Sequence, residues 1–255
     1  MANKLVFLGT GTSQGVPIIG CNCHVCQSND PHDKRLRTSA YIEYCGLHLL
    51  IDAGPDFRQQ ILANNISQID AVLLTHQHKD HTGGLDDARA FNYTTQQGFK
   101  IYLESVVAES LKREYSYAFE KDKYPGVPEF ELHIIDDNPF KIDSVEIVPI
   151  RAIHYKLPVL GYRFDSLAYL TDLNYISEES IERLKGIKTF VVSCLRKEEH
   201  ISHFSYNQVL ELCDKISPEK VFFTHMSHRM GTYEEMIEQF PENIEPAYDG
   251  LTITF

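Results

Sequence analysis

The stretch Ala71-Val-Leu-Leu-Thr-His76-Gln-His78-Lys-Asp80-His81-Thr-Gly-Gly84 decides the fold. The apolar run at residues 71–74 indicates a buried strand, because it is brief, contains a β-branched residue and stops at polar residues. Four metal-binding side chains follow within six positions. Imidazole and carboxylate together form a ligand set suited to zinc, manganese or iron. A solvated polar loop is the alternative, but a core histidine needs one partner rather than three such neighbours, so the motif favours a metal site.

Length and composition limit the possible classes of protein. A chain of 255 residues fits one large domain or two small ones, and we predict a single domain over residues 1–255. The 43% of hydrophobic residues suffice for a core, yet no apolar run reaches membrane-spanning length. No signal-peptide segment is evident before the strand-like Leu5–Leu8, so we expect a cytoplasmic protein without membrane contact.

The net charge of −12 disfavours a nucleic-acid partner, which would need a basic surface. It is compatible with a small phosphorylated substrate, because bound metal ions reverse the local field. Three of the six cysteines are clustered, at Cys21, Cys23 and Cys26. In a reducing compartment such a cluster favours zinc over disulfides, with a fourth ligand from elsewhere, and three unligated surface thiols are the alternative.

The HxHxDH run at residues 76–81 resembles the metallo-β-lactamase superfamily of dinuclear metallohydrolases, and the resemblance covers essentially the whole chain. It implies an α/β protein with an αββα sandwich: two mixed sheets face to face, helices outside, and a dinuclear metal site at the sheet edge. Strand-like and helix-like segments alternate throughout this chain, and most candidate metal ligands fall at strand ends, which agrees with that architecture.

The resemblance also implies the ligand set. One metal ion is expected on His76, His78 and His154, the second on Asp80, His81 and His225, and Asp172 is expected between them. One bidentate carboxylate can hold two cations. Read in isolation, His154 would be an ordinary loop residue. Asp52, in an Ile-Asp-Ala-Gly turn, is expected to hydrogen-bond a metal-binding histidine, and it could also cap a helix predicted at residues 56–64.

The CxCxxC cluster resembles the structural zinc site of a narrower group, the phosphoribosyl cyclic phosphate phosphodiesterases, where a histidine near the C-terminus is the fourth ligand. His228 fits that position and His24 is the competitor. We prefer His228 for the zinc loop near residues 20–27, because a distant ligand ties two parts of the chain together. The glycine-rich loop at residues 9–17 is a weak candidate for a phosphate contact.

The resemblance implies a metal-dependent phosphodiesterase that hydrolyses a small cyclic phosphodiester, such as 5-phosphoribosyl 1,2-cyclic phosphate. Two divalent ions (manganese or zinc, or iron) and one structural zinc are expected, with attack by a hydroxide that bridges the catalytic metals. Asp80, His203 and His200 are the candidate catalytic residues. We favour His203 as general acid, because a capping box at Ser205 and Gln208 places it beside a helix N-terminus, where the related enzymes have this histidine.

Three other functions are compatible with parts of the pattern. A tRNA 3′-processing nuclease shares the ligands, but the acidic balance and the missing Gly/Pro/Lys-rich arm argue against it. A glyoxalase II-type thioesterase has no reason to carry the cysteine cluster. A non-catalytic relative, like the pyrroloquinoline quinone biosynthesis protein, would have a degraded metal site, whereas the ligand set here is intact.

The role of one segment and the choice of substrate-binding cations are predicted only from their positions in the sequence. The aromatic and charged segment at residues 115–130 is expected to form a lid or a dimer contact, with ordinary packing as the alternative, and relatives suggest a homodimer. The cations that could bind the remote part of a substrate are Arg37, Arg151, Lys156 and Arg229.

Overall fold

A computed structural model describes residues 2–255 and contains two β-sheets. The first sheet has seven strands: β1 (Lys4–Gly9), β2 (Ser39–Tyr44), β3 (Leu47–Ile51), β4 (Ala71–Leu73), β5 (Phe99–Leu103), β6 (Phe130–Ile134) and β15 (Thr252–Thr254). The second has eight: β7 (Phe140–Ile142), β8 (Val145–His154), β9 (Leu157–Phe164), β10 (Leu167–Leu170), β11 (Tyr175–Ile176), β12 (Thr189–Ser193), β13 (Lys220–Thr224) and β14 (Ile244–Pro246).

The helices lie between these strands in the sequence. They are α1 (His24–Gln27), α2 (Phe57–Ala63), α3 (Lys79–Thr82), α4 (Arg89–Thr95), α5 (Ser105–Glu114), α6 (Ser116–Phe119), α7 (Glu178–Leu184), α8 (Tyr206–Ile216) and α9 (Tyr233–Gln239). Short 3₁₀ turns occur at Pro31–Asp33, Leu85–Ala88 and His228–Met230.

Both sheets are mixed, as predicted. The first has the order β15-β1-β2-β3-β4-β5-β6 and is antiparallel as far as β3 and parallel beyond it. The second has the order β11-β8-β9-β10-β12-β13-β14, with β7 on β8, and becomes parallel from β10 onward. Parallel strands bring their carboxyl ends to one edge, which is where an α/β site forms.

Three apolar layers hold the sheets and helices together. Phe7 and Ile42 of the first sheet pack against Tyr162 and Phe164 of the second. Helix residues cover the outer face of the first sheet, among them Phe57 and Leu111. Ile181 of α7 and Val209 of α8 cover the outer face of the second. The predicted αββα sandwich is therefore confirmed.

The helices α7, α8 and α9 begin at residues whose side chains cap them. Ser177 accepts a hydrogen bond from the amide of Ser180, and complete capping boxes begin α8 at Ser205 and α9 at Thr232. The Ser105 hydroxyl predicts an N-cap at that residue, but Ser105 is the first residue of α5. Glu104 holds the cap position, and its carboxylate binds Arg151 instead of the helix amides.

The segment at residues 115–130 contributes to the outer layer of the first sheet. The buried Tyr115 hydroxyl donates to the carbonyl of Thr82 at 2.8 Å, and the Phe119 ring lies 5.9 Å from that of Phe130. Ordinary packing, the alternative to a lid, therefore describes Tyr115 and Phe119. A lid or dimer contact remains a prediction only for the exposed part around Tyr124, which is 80% exposed.

The glycine-rich loop after β1 uses its amides internally. The amides of Gly11 and Val16 donate to the carbonyls of Leu36 and Arg35. A Cβ at Gly11 would lie 2.6 Å from that Arg35 carbonyl oxygen, so the glycine permits close packing of two backbones. The expected phosphate contact is therefore wrong for these two amides, because they are already satisfied.

Gly54 provides a test of how closely the HxHxDH segment packs against the turn after β3. A Cβ there would lie 2.0 Å from the carbonyl oxygen of Asp80. We expect Gly54→Ala to push Asp80 away, to lower the free energy of unfolding by about 1–3 kcal/mol, and to reduce bound metal. Denaturant unfolding and metal analysis measure both effects.

Gly98→Ala is the matched control, because the nearest atom to its Cβ would be the Glu131 Cβ, at an ordinary contact distance of 3.4 Å. Equal effects of the two substitutions would contradict the close seating of Gly54 against the metal-binding segment.

Candidate metal centre

The polar residues predicted from strand ends meet at one edge of the two sheets. Asp52 follows β3, Asp172 follows β10 by two residues, and His225 follows β13 directly. All three have left-handed backbone conformations, with φ of 60°, 54° and 52°. Such values are uncommon outside glycine, although Asp and His adopt them more readily than bulky residues do. The chain thus reverses abruptly at each strand end while the polar side chains stay at the edge.

His76, His78 and His154 form the first group of candidate ligands, with one donor atom of each lying within 4.8 Å of the others. The Nε2 of His76 is 2.9 Å from the Nδ1 of His78. Neighbouring groups fix two of the rings: the Nδ1 of His76 lies 3.0 Å from the Thr75 hydroxyl, and the Nδ1 of His154 donates to the Ser202 carbonyl at 2.8 Å. The Nε2 atoms of His76 and His154 are thereby left for a cation.

Asp80, His81, Asp172 and His225 form the second group. The Nε2 of His81 lies 3.3 Å from the Asp80 carboxylate and 3.4 Å from Asp172, and the Nε2 of His225 lies 3.2 Å from Asp172. Ligand bonds of about 2.1 Å at tetrahedral angles would separate donor atoms by about 3.4 Å, so this spacing suits one ion.

Asp172 lies between the two groups. Its Oδ1 is the oxygen near His81 and His225, whereas its Oδ2 lies 3.9 Å from the Nε2 of His154. The two oxygens of one buried carboxylate thus face different sets of imidazoles, which is the arrangement expected of a bridging ligand.

The donor atoms of this cleft fit cations. Within residues 2–255, the buried Nε2 atoms of His81 and His225 have no hydrogen-bond partner. Buried polar atoms without partners are rare and call for a missing ligand or ion. Burial lowers the pKa of His76 well below its ordinary value, which keeps this imidazole in the neutral, metal-binding form. Burial alone would raise the pKa of the Asp172 carboxyl. His225 and His81 lower it by more than burial raises it, so this pKa lies well below its ordinary value and the carboxylate is ionised.

Asp52 orients the second group. Its Oδ2 accepts from the Nδ1 of His81 at 2.6 Å, and both its oxygens accept from Thr75. The predicted hydrogen bond from Asp52 to a histidine of the HxHxDH run is therefore present. The helix-capping alternative is wrong, because Asp56 holds that position before α2. No signal in the sequence pointed to Thr75, which connects Asp52 with His76, or to the Ser202 carbonyl.

The two candidate acid residues lie at different depths. His203 is buried, and its Nδ1 is 3.9 Å from the Asp172 carboxylate, within the group formed by His154, Asp172 and His203. His200 is only partly buried, and its Nδ1 accepts from the amide of Ser202. Burial lowers the pKa of His203 to about 3, so this imidazole is neutral in the free protein near pH 7.

The cysteine cluster forms a separate site. The Sγ atoms of Cys21, Cys23 and Cys26 lie 3.4, 3.3 and 3.5 Å from the Nδ1 of His228. Zinc bonds of about 2.3 Å to sulfur and about 2.0 Å to nitrogen would separate sulfur from nitrogen by about 3.5 Å. The competitor His24 faces Glu235 instead, at 3.3 Å. The Cys26 amide, donating to Cys23, lowers the pKa of that thiol to about 6, which favours the thiolate.

Comparisons with known proteins agree with this fold. Residues 48–226 match the Beta-lactamase superfamily domain. A solved structure described as a new diphosphatase from the PhnP family has 37% sequence identity and a TM-score of 0.93, over 100% of this chain and 98% of that one. Zinc-bound PqqB from Methylobacterium extorquens has the same fold, with 20% identity and a TM-score of 0.79 over 99% of this chain and 100% of that one.

A curated octanoyltransferase from Porphyromonas gingivalis is 41% identical over 97% of this chain and 51% of its own length. The chain thus spans about half the length of that relative.

The two sheets, the outer helices and the His/Asp cluster define a metal-dependent hydrolase of the metallo-β-lactamase fold. The chain belongs to the β-lactamase superfamily and, within it, to the PhnP family. No helix formed by residues 2–255 is long and apolar enough to cross a bilayer.

Asp52→Asn tests the orienting hydrogen bond. An amide can no longer stabilise the correct His81 tautomer as a carboxylate does, and outer partners of this kind change metal affinity by about 10- to 100-fold. We expect a loss of that size in calorimetric titration of the metal-free protein with Mn²⁺ or Zn²⁺.

Asp70→Asn serves as control, since Asp70 makes a similar bond to His48 away from the cleft, at 3.1 Å. Equal losses in the two variants would show that the Asp52–His81 bond has no special role in metal binding.

The thiol site predicts a separate metal stoichiometry. Cys23→Ser should remove one zinc ion per chain and lower the thermal midpoint, because an ion bound there would join the loop before α1 to the turn after β13. Metal analysis together with thermal unfolding measures this. Cys45→Ser, at an exposed cysteine outside the cluster, should keep the full zinc content, and a Cys23→Ser protein with unchanged zinc would contradict the assignment.

Proposed function

We propose that the protein is a phosphodiesterase that hydrolyses a small cyclic phosphodiester, such as 5-phosphoribosyl 1,2-cyclic phosphate. The observation that carries this proposal is the position of His203: a buried imidazole beside two groups of candidate metal ligands and before the first turn of α8. Cleavage of an alkyl phosphodiester expels a poor leaving group, and such a reaction needs a proton donor at this place.

Two divalent cations are proposed for the cleft, manganese, zinc or iron by ligand chemistry. His76, His78 and His154 would hold one, Asp80, His81 and His225 the other, with Asp172 between them. When bound, such a pair lowers the pKa of water enough for nucleophilic attack at neutral pH and neutralises charge on the phosphate.

The protein's own residues hold and protonate the substrate. His154, fixed by the Ser202 carbonyl, and His203 line one side of the cleft, with their ring centroids 4.5 Å apart. The first group and Asp172 already offer four donors, so His203 is left for the substrate. A bound phosphate anion raises the pKa of a neighbouring imidazole, so substrate binding would charge His203 for transfer of its proton to the departing oxygen.

Cleavage of a diphosphate is a second candidate, favoured by the likeness to the PhnP-family diphosphatase. A diphosphate expels a phosphate group, which needs no proton donor at neutral pH. His203 would then contribute little to the rate, and this difference separates the two functions.

The similarity to an octanoyltransferase makes hydrolysis of an octanoyl thioester a third candidate function. The matched region is 51% of that relative, so the activity in its name refers to the whole protein and not to the shared half alone. An octanoyl thioester therefore belongs in the assay beside the phosphate substrates.

His203→Ala distinguishes these functions. With a ribose cyclic phosphodiester, turnover should fall by about 10²- to 10⁴-fold, because the alkoxide leaves without a proton. With bis(p-nitrophenyl) phosphate, whose phenolate leaves readily, the loss should be less than about tenfold. Steady-state kinetics of the metal-loaded protein, with a chelator control, measures both.

His200→Ala is the comparison variant, since His200 lies three residues away and is less buried. A larger loss in His200→Ala would move the acid role to His200. Equal losses with both substrates in His203→Ala would argue against proton donation, and turnover only of diphosphate or thioester would reject the phosphodiester.

A further inference from the structure

The turn between β8 and β9 borders the metal-binding cleft. A cavity of about 610 Å³ is lined by His78 and His154, which belong to the first ligand group, and by Tyr155 and Lys156 of the turn. Ile201, from the loop before α8, also lines it and is 70% exposed. The cavity therefore extends from the proposed position of the scissile phosphate toward a partly apolar rim.

Tyr155 has a backbone conformation that is unfavourable for a tyrosine and is not compensated by core packing. Residues 154 and 157 pair directly, so Tyr155 and Lys156 form a two-residue hairpin turn. Tyr155 has a φ of 59°, a left-handed value that such turns usually assign to Gly, Asn or Asp. Its side chain is 52% exposed, so core packing does not compensate for this backbone. The ring stands instead at the rim of the cleft.

Lys156 is distinguished from the other cations near the cleft by its lack of a carboxylate partner. Arg37 binds Asp56 at 2.9 Å, Arg151 binds Glu104 at 2.6 Å, and Arg229 lies 3.5 Å from Glu198. Within residues 2–255, no carboxylate oxygen lies within 4.0 Å of the Lys156 amine. That amine lies 5.2 Å from the centre of the Tyr155 ring, so a ligand on the ring would be within its reach.

We propose that the Tyr155–Lys156 turn binds the part of the substrate remote from the scissile phosphate. The Tyr155 ring would pack against the face of a sugar, and the Lys156 ammonium would pair with a second phosphate. The inference rests on the proposed phosphodiesterase function and adds to it the residues that would bind the sugar and its further phosphate. Of the four cations considered from the sequence, the structure singles out Lys156.

Kinetics with two matched substrates test the role of Lys156. Ribose 1,2-cyclic phosphate is compared with its 5-phosphorylated form, and the ratio of their kcat/KM values is measured. Lys156→Ala should lower this ratio roughly 10- to 100-fold, mainly through KM, since a charge-assisted contact is lost. Lys156→Arg should restore most of it. Lys188→Ala, an exposed lysine that does not line the cavity, should keep the wild-type ratio.

Tyr155→Gly separates binding from stability. Glycine adopts a left-handed φ without strain, so the thermal midpoint should rise. The kcat/KM for the phosphorylated substrate should nevertheless fall about 3- to 10-fold, because the ring is gone. A Tyr155→Gly protein with full activity would overturn the role of the ring.

Binding to the metal-loaded protein separates failure of this inference from failure of the proposed function. Calorimetric titration compares ribose 1,5-bisphosphate with ribose 1-phosphate in wild type and Lys156→Ala. If no phosphodiester is hydrolysed but the bisphosphate binds more tightly and loses that advantage in Lys156→Ala, the phosphodiesterase proposal fails and the phosphate-binding turn stands. If hydrolysis occurs but Lys156→Ala alters neither the kinetic ratio nor the binding advantage, the turn proposal is overturned. Equal binding of the two ligands by wild type overturns it as well.

Discussion

The hydrogen bond from His81 to Asp52 is the interaction on which the cleft depends. It joins the end of β3 to the HxHxDH segment inside the protein, where both groups are fully buried. A buried carboxylate is tolerated only when its oxygens are hydrogen-bonded, and Thr75 donates to both oxygens of Asp52. The remaining Nε2 of His81 is directed at Asp80 and Asp172, so the same bond that stabilises the turn also presents a donor atom to a cation.

Each of the two sheets contributes part of the site. The first sheet supplies Asp52 and the HxHxDH segment, and the second supplies His154, Asp172 and His225. The apolar layer between the sheets fixes their distance, so the spacing of the donor atoms depends on core packing far from the cleft. The left-handed conformations at the strand ends carry a local cost, which the surrounding fold must outweigh.

Much of this arrangement could be predicted from the sequence, because the signals are local. Short apolar runs that stop at Asp or His predicted where the strands end, and the capping box at Ser205 and Gln208 predicted where α8 begins. Partners set by tertiary position could not be predicted. Nothing in the sequence indicates that Glu104 binds Arg151 or that the Ser202 carbonyl fixes His154, since these contacts join residues about fifty positions apart. The left-handed conformation of Tyr155 could not be predicted either, because no Gly, Asn or Asp marks this turn.

The separation in sequence between groups that meet in the folded protein has a consequence for how the protein is made. Cys21 meets His228 across 207 residues, and Thr10 meets Asp249 across 239. Contacts of such length form late, because closing a long loop costs entropy before any contact repays it. The second ligand group is complete only when His225, at the end of β13, has been synthesised, long after His81. Discrimination among metal ions by the geometry of that group is therefore a property of the folded chain and not of the HxHxDH segment alone.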